Sequence, residues 1–547
     1  MGTGMETFDY IIVGAGSAGC ILANRLSADP DTTVCLLEAG GSDWHPWIHI
    51  PAGFVKTFHM PSVNWRYTME ASEWTGGRKI LAPRGKTLGG SSSINGHVWN
   101  RGQAADYDHW AQRGNLGWGY ADVLPYFKRI EKAAMGDDDY RGRSGGLKVT
   151  ESDWKHPLCD AFIEGAVQQG IPYNPDYNGG KQEGVSYSQR AIHNQRRVSS
   201  AKAFLHPISF RHNLDIRKHA HTMGLTFNGK RATGVRYAKG GRTGDKIEIR
   251  ARREVILSAG TFNSPHILQL SGIGDPEHLS EIGIETRHAL TGVGRNLRDH
   301  YAPRFSARVK NARSINELTR GIPLAGEVLK WVTGKPSVLG VTATLVYAFC
   351  KSRPEVENSD LQITFTPASY AEGFQGILER DPGMTVAAWQ QRPDSHGTCM
   401  AMSSDPFRQP AIDPNYLAEE SDRQVLIAGM KRARSLMASE PLKPFYDHEI
   451  FPGADVQTDD ELLECARERG TTTFHPCGTC RMGPATDPSA VVDDQLRVHG
   501  IDGLRVVDAS IMPMMLSANL NAGTMMIADK ISDVIRGRAP LEPLIMH

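Results

Sequence analysis

The sequence predicts an α/β fold that opens on a parallel βαβ unit, and three observations carry that prediction. Phe8–Val13 is a run of apolar and β-branched residues, the pattern of a buried strand. A glycine-rich turn follows, and after it Ala18–Ser27 sets Ile21, Leu22 and Leu26 in a helical pattern. Thr33–Leu37 is a second apolar run and completes the unit.

The later elements follow in order. Ala82–Ile94 is rich in Gly and Ser, has no periodicity and reads as a loop. Glu151–Gln169 contains a helix. Ile247–Ser258 alternates and then runs apolar through Val255, Ile256 and Leu257, as a strand does. The character changes over Arg304–Arg469, where Val341–Cys350 and Leu361–Pro367 read as strands. Ser421–Met437 reads as a helix, with Ser421 and Gln424 spaced as a capping box. Gly503–Asp508 is a late strand, and a final amphipathic helix carries Ile527, Ile531, Val534 and Ile535 and stops at Gly537.

Composition excludes several classes. The 547 residues, 40% hydrophobic and 22% charged, are enough for a sizeable core and rule out a mainly disordered chain. Lys+Arg and Asp+Glu both number 61, so bulk charge argues for neither nucleic acid nor an anionic membrane. No run of roughly 18 uncharged apolar residues is present to span a bilayer. The first residues lack a basic region and carry Glu6 and Asp9, so the apolar stretch after them reads as a strand rather than a signal core. Eight cysteines in so long a chain form no disulfide framework, which points to a reduced, cytoplasmic protein. Cys477-Gly478-Thr479-Cys480 has the spacing of a redox or metal pair. With His475 the local ligand count reaches only three, and a structural zinc site needs four, so no metal is expected.

Gly14-Ala15-Gly16-Ser17-Ala18-Gly19 is GxGxxG, placed between the first strand and the first helix. There Gly14 permits the tight turn, Gly16 lets the backbone approach a pyrophosphate, and Gly19 lets helix and strand pack closely. Glu38 ends the second strand, 24 residues after Gly14, where a carboxylate can accept from ribose hydroxyls. The motif implies dinucleotide binding and does not separate NAD from FAD.

Longer segments narrow the choice. Pro83–Asn95, Gly260–Pro265 through Gly274, Gly292–Leu297 with Asp299-His300, Ile412–Leu417, His475–Gly483 and Val507–Pro513 resemble, in order, segments of the glucose–methanol–choline (GMC) oxidoreductases. The resemblance runs from about Phe8 to Ile535 and is strongest to bacterial alcohol, choline and sorbose dehydrogenases. It implies a Rossmann-like FAD-binding domain built discontinuously from 1–154, 201–304 and 471–547. A substrate domain, a mostly antiparallel sheet flanked by helices, would come from 155–200 and 305–470.

The resemblance also implies a chemistry. An alcohol would be oxidised to an aldehyde or ketone by hydride transfer to flavin N5, with His475 as base and Asn521 positioning the substrate. FAD would be held by Gly14, Ala15, Gly16, Ser17, Ala18, Gly19, Glu38 and Ala39, by Gly90, Ser91, Asn95, Gly96, His97 and Val98, by Thr222, Ala259 and Gly260, and by Asp508, Ala509, Asn521, Ala522 and Thr524. Ile94 stands where some members attach FAD to a histidine, so non-covalent FAD is expected, with His97 as a weaker tether candidate. Gly523 stands where proline is common, and His396 stands where arginine usually does. Trp389, Trp99 and Phe474 are candidates for the substrate pocket. The electron acceptor would be oxygen, a quinone or another carrier, and a quinone would place the protein at a membrane surface. An oxidase, and a lyase or decarboxylase on the same scaffold, remain alternatives.

Overall fold

The computed structural model describes residues 5–371 and 376–546. The predicted βαβ unit is present as strand Thr7–Val13, helix Ser17–Leu26 and strand Val34–Leu37. Its two strands pair in parallel, Tyr10 opposite Val34 and Val13 opposite Leu37. All four residues of the second strand are buried, as expected of a sheet covered on both faces.

The sheet grows on both sides of that unit. Leu214–Arg217 pairs in parallel with the second strand, and the 13-residue strand Asp245–Leu257 pairs in parallel with the first. The long strand is shared along its length. Its first half pairs antiparallel with the hairpin strand Arg231–Lys239, and its end, Val255–Leu257, pairs in parallel with Leu504–Val506. The first strand therefore has a parallel neighbour on each side, reached by connections running in opposite directions. That is the switch point at which open α/β sheets bind ligands, and Gly14 sits at its carboxyl edge.

A second sheet of six antiparallel strands runs in the order Tyr446–Phe451, Arg304–Val309, Gly383–Gln390, Leu361–Thr366, Val346–Cys350, Gly184–Tyr187. Alternation divides its faces. Phe305, Ala307, Ile363, Phe365, Val386 and Ala388 enter a core beneath helices Glu420–Met437 and Pro157–Gln168. Arg304, Ser306, Thr364, Thr366, Thr385 and Trp389 face the other way, into a large cavity.

Two local expectations need correction. The helix expected from Ser421 starts at Glu420, and Ser421 and Gln424 form no capping box. The Ser421 hydroxyl instead donates to Asp394, and Gln424 bonds Glu420. Glu420 and Asp422 supply the first-turn negative charge that the helix dipole favours, and buried Asp422 accepts the amides of Asp394 and Ser395. The stretch Ala82–Ile94 is not wholly loop. Gly89 and Gly90 take φ of 85° and 52°, and Gly90–Ser93 winds into a short 3-10 turn. The final helix spans Asn521–Ile535, and Gly537, with φ of 65°, closes it through bonds from Gly537 to Val534 and from Arg538 to Asp533.

Candidate active site

A cavity of about 1170 Å³ lies between the two sheets, above the usual range of roughly 300–1,000 Å³ for small-molecule sites. The glycine-rich turn forms one end. Gly14 has φ of 100°, and a Cβ on Gly19 would lie 1.9 Å from the Gly14 carbonyl oxygen. Gly16 is different: a Cβ there would have nothing nearer than the Ser258 carbonyl oxygen at 4.0 Å. It leaves room on the cavity side. Glu38 accepts from the Ala15 and Gly40 amides at 3.0 and 2.8 Å. Burial outweighs these donors and pushes its carboxyl up to about 7. Each oxygen keeps a lone pair for a ligand hydroxyl.

Three further features fit a dinucleotide. No side chain caps helix Ser17–Leu26 or Asn521–Ile535, and the first turns of both open onto the cavity, an arrangement that favours negative charge. The hydroxyls of Thr222 and Ser258, both cavity-lining, are buried without a partner. The loop before Ile94 is docked on the turn: the Gly89 amide donates to Ala15, and a Cβ on Gly90 would lie 2.7 Å from the Gly16 Cα.

Most of the residues expected at the cofactor line this cavity, from Gly14, Gly16, Ser17, Ala18, Glu38 and Ala39 to Gly90, Ser91, Asn95, Gly96, His97 and Val98. Thr222, Ala259, Gly260, Asp508, Ala509, Asn521 and Thr524 complete the lining set. Ala15, Gly19 and Ala522 do not line it. Ala15 spends its amide on Glu38, Gly19 is pressed against Gly14, and Ala522 is buried. Asp508 accepts from the Gly260 amide, the Ser264 hydroxyl and the Ser510 amide, tying the late strand to helix Gly260–Leu270. His97, at φ 67°, is joined through Nε2 to the Pro51 carbonyl at 2.9 Å, while its buried Nδ1 has no partner.

At the other end stands His475. Its amide donates to Asp299, which also accepts from the His300 amide and the Tyr416 and Thr472 hydroxyls. The preceding Phe474 is held at φ 70°, with its carbonyl accepting from Arg84.

The hydrogen bonds decide where the ring protons sit. The Gln391 carbonyl, 2.7 Å from His300 Nε2, can only accept, so that nitrogen carries hydrogen. Burial lowers His300 to about 4, so the ring is neutral at pH 7 and its Nδ1 is an acceptor. The atom facing that acceptor at 3.0 Å is His475 Nδ1, which must therefore carry hydrogen, and the Thr473 hydroxyl oxygen at 2.8 Å accepts from it too. Burial, His300 and Arg84 hold His475 well below the usual histidine range, so it too is neutral, and its Nε2 carries a lone pair. Asn519 Nδ2 stands 2.9 Å from that nitrogen and donates to it.

This corrects the assignment of Asn521 as the residue that positions the substrate. Asn521 is the first residue of the final helix, and its Oδ1 accepts the Ser17 hydroxyl at 2.7 Å, which pins that helix to the first one. The neighbour of His475 is Asn519, in the loop two residues earlier. Of the aromatic candidates, Trp389 and Phe474 line the cavity. Trp99 does not: it is fully buried and donates to Glu131, which two arginines, Arg101 and Arg141, also hold. His396 is exposed and outside the cavity. Cys477 and Cys480 are buried free thiols, and Cys477 lies against Met515. Among the described residues no cluster suits a metal ion and no helix is long and apolar enough to cross a membrane.

A dinucleotide cradle and a neutral histidine opening on one cavity define an oxidoreductase that takes a proton and a hydride from its substrate. Residues 8–302 match the N-terminal GMC oxidoreductase family model and residues 393–528 the C-terminal one. The chain is 39% identical to the oxygen-dependent choline dehydrogenase of Staphylococcus aureus (strain MSSA476), over 98% of this chain and 95% of that protein. Pyridoxine 4-oxidase from Mesorbium loti superposes with a TM-score of 0.88 at 29% identity, covering 97% of this chain and 100% of the other. A formate oxidase variant of Aspergillus oryzae RIB40 gives 0.90 at 26%, covering 97% and 98%. The chain belongs to the GMC oxidoreductase family. It is an FAD-dependent oxidoreductase acting on the CH–OH group of an alcohol.

Proposed function

We propose that His475 is the base that takes the hydroxyl proton of a small alcohol, that Asn519 holds the hydroxyl oxygen, and that the alcohol leaves as an aldehyde or ketone. The observation that supports this reading is the hydrogen-bonded chain Gln391–His300–His475, which leaves the lone pair of His475 Nε2 beside the Asn519 amide. A hydroxyl entering between them can give its proton to one and accept from the other. Asp299 holds the His475 backbone while His300 holds its ring. FAD, when bound, supplies the acceptor for the hydride.

FAD is held without a covalent bond in this reading, because Ile94, at the tether position, offers no nucleophile. Acid denaturation should then release free flavin into solution, and flavin that stays with the polypeptide would contradict it. Residues 155–200 and 305–470 form the substrate side and the remainder the FAD side. Oxygen is the acceptor, as the name of the staphylococcal relative suggests for that protein. Eight free thiols fit a cytoplasmic location.

The pH dependence tests the base. It works only when unprotonated, and its pKa lies well below 6.5. The rate of flavin reduction at saturating alcohol should therefore be flat from about pH 6.5 upward and fall only toward acid. A rate that climbs through pH 7 to 8 would contradict the assignment.

A further inference from the structure

The antiparallel sheet turns toward the cavity a cation that no described residue neutralises. Arg304 lines it from the strand Arg304–Val309. Among the described residues no carboxylate, carbonyl or hydroxyl accepts from its guanidinium, and Tyr370 is the only group whose charge it feels. Arg308, four residues on and on the same face, shows the contrast, since Glu379 neutralises it at 2.8 Å. Arg84, also at the cavity, donates to the carbonyls of Pro83 and Phe474, and the buried Asp299 carboxylate lies near enough to offset its charge. Of the cavity carboxylates on this side, Glu379 is taken and Glu468 is exposed to solvent. Arg304 is therefore a cation on this wall that no described carboxylate neutralises.

A half-buried guanidinium facing a cavity, with no acceptor among the described residues, keeps its donors for a ligand. Its planar fork matches a carboxylate better than any other common organic group. Arg304 follows His300 by four positions, and the His300 ring touches His475, so the Cα atoms of Arg304 and His300 are at most about 14 Å apart. One small molecule can reach both.

We infer that the alcohol oxidised by this protein carries a carboxylate at the end remote from its hydroxyl, and that Arg304 binds that carboxylate. The inference rests on the alcohol-oxidation reading above and adds the substrate class to it. A quaternary ammonium alcohol such as choline meets the like charge of Arg304 there and is a poor substrate.

The test pairs charged and neutral alcohols of two lengths: glycolate against glycolamide, and 4-(hydroxymethyl)benzoate against 4-(hydroxymethyl)benzamide, with choline as the cation. Anaerobic flavin reduction by the flavin-loaded protein should half-saturate at an at least about tenfold lower concentration for the acid than for its amide, in at least one pair. Arg304→Gln should remove that preference at unchanged melting midpoint and flavin content, and Arg304→Lys should retain part of it. Equal use of acid and amide at both lengths, better use of choline, or an Arg304→Gln variant that weakens acid and amide by the same factor would overturn the inference.

4-Methylbenzoate separates this from the reading beneath it, because it has no hydroxyl to oxidise. It should perturb the flavin bands of the wild-type protein and not those of Arg304→Gln. If it does so while no alcohol bleaches the flavin, the anion subsite stands and alcohol oxidation fails. If neutral alcohols bleach the flavin and 4-methylbenzoate leaves the bands unchanged, alcohol oxidation stands and the subsite fails.

Discussion

Replacing His475 with alanine lowers the rate of flavin reduction by alcohol about 10²- to 10⁴-fold, the usual contribution of a positioned general base. The flavin content of the protein should not change. His475 reaches the cavity from the loop after Thr471–Thr472, at the end opposite the glycine-rich turn, and its ring is bonded to His300 and Asn519. Removing the imidazole takes away the one cavity-facing lone pair whose protonation the surrounding bonds dictate. The backbone bond from residue 475 to Asp299 survives the substitution, so the loop keeps its shape. Asn519→Ala should cost less, because it removes a donor to the oxygen and leaves the base. Stopped-flow reduction of both variants checks this, and a His475→Ala enzyme within tenfold of wild type would assign the proton to another group.

The second large effect separates two glycines of one motif. Gly19→Ala should cost about 3 kcal/mol, the upper end for overpacking, because its Cβ would lie 1.9 Å from a backbone oxygen that cannot move without opening the turn. Gly16→Ala should leave the fold intact. The residue has φ of −79°, which alanine adopts freely, and its Cβ would meet no protein atom nearer than the Ser258 carbonyl oxygen at 4.0 Å. That methyl would instead occupy cavity space beside the uncapped first turn. Gly16→Ala should therefore melt like wild type as apoprotein and be purified with much less flavin, whereas Gly19→Ala melts early with or without it. The reverse pattern would mean that the pyrophosphate does not lie over Gly16.

The two glycines also show what was legible in the sequence. The βαβ unit could be read because its strands are buried on both faces and run continuously apolar, and because a turn so short leaves each glycine one job. Arg304–Val309 and Gly383–Gln390 were not singled out. One face of each lines the cavity, so Arg304, Ser306, Thr385 and Trp389 interrupt the apolar signal with the residues that matter most. Motif resemblance located His475, but no pattern could choose between Asn519 and Asn521, which flank one leucine. The choice depends on where the final helix begins, because its first residue turns toward Ser17 and the loop residue two positions before it toward His475. Trp99 and Trp389 are likewise alike as letters, and only the partner Glu131 makes the first a core residue.

The most direct measurement is the visible spectrum of the purified protein, recorded without oxygen before and after an alcohol is added. The account predicts oxidised flavin bands that bleach with alcohol in the wild-type protein and stay unbleached on the same timescale in His475→Ala. Flavin bands that no alcohol bleaches, or bleaching as fast without His475 as with it, would contradict it.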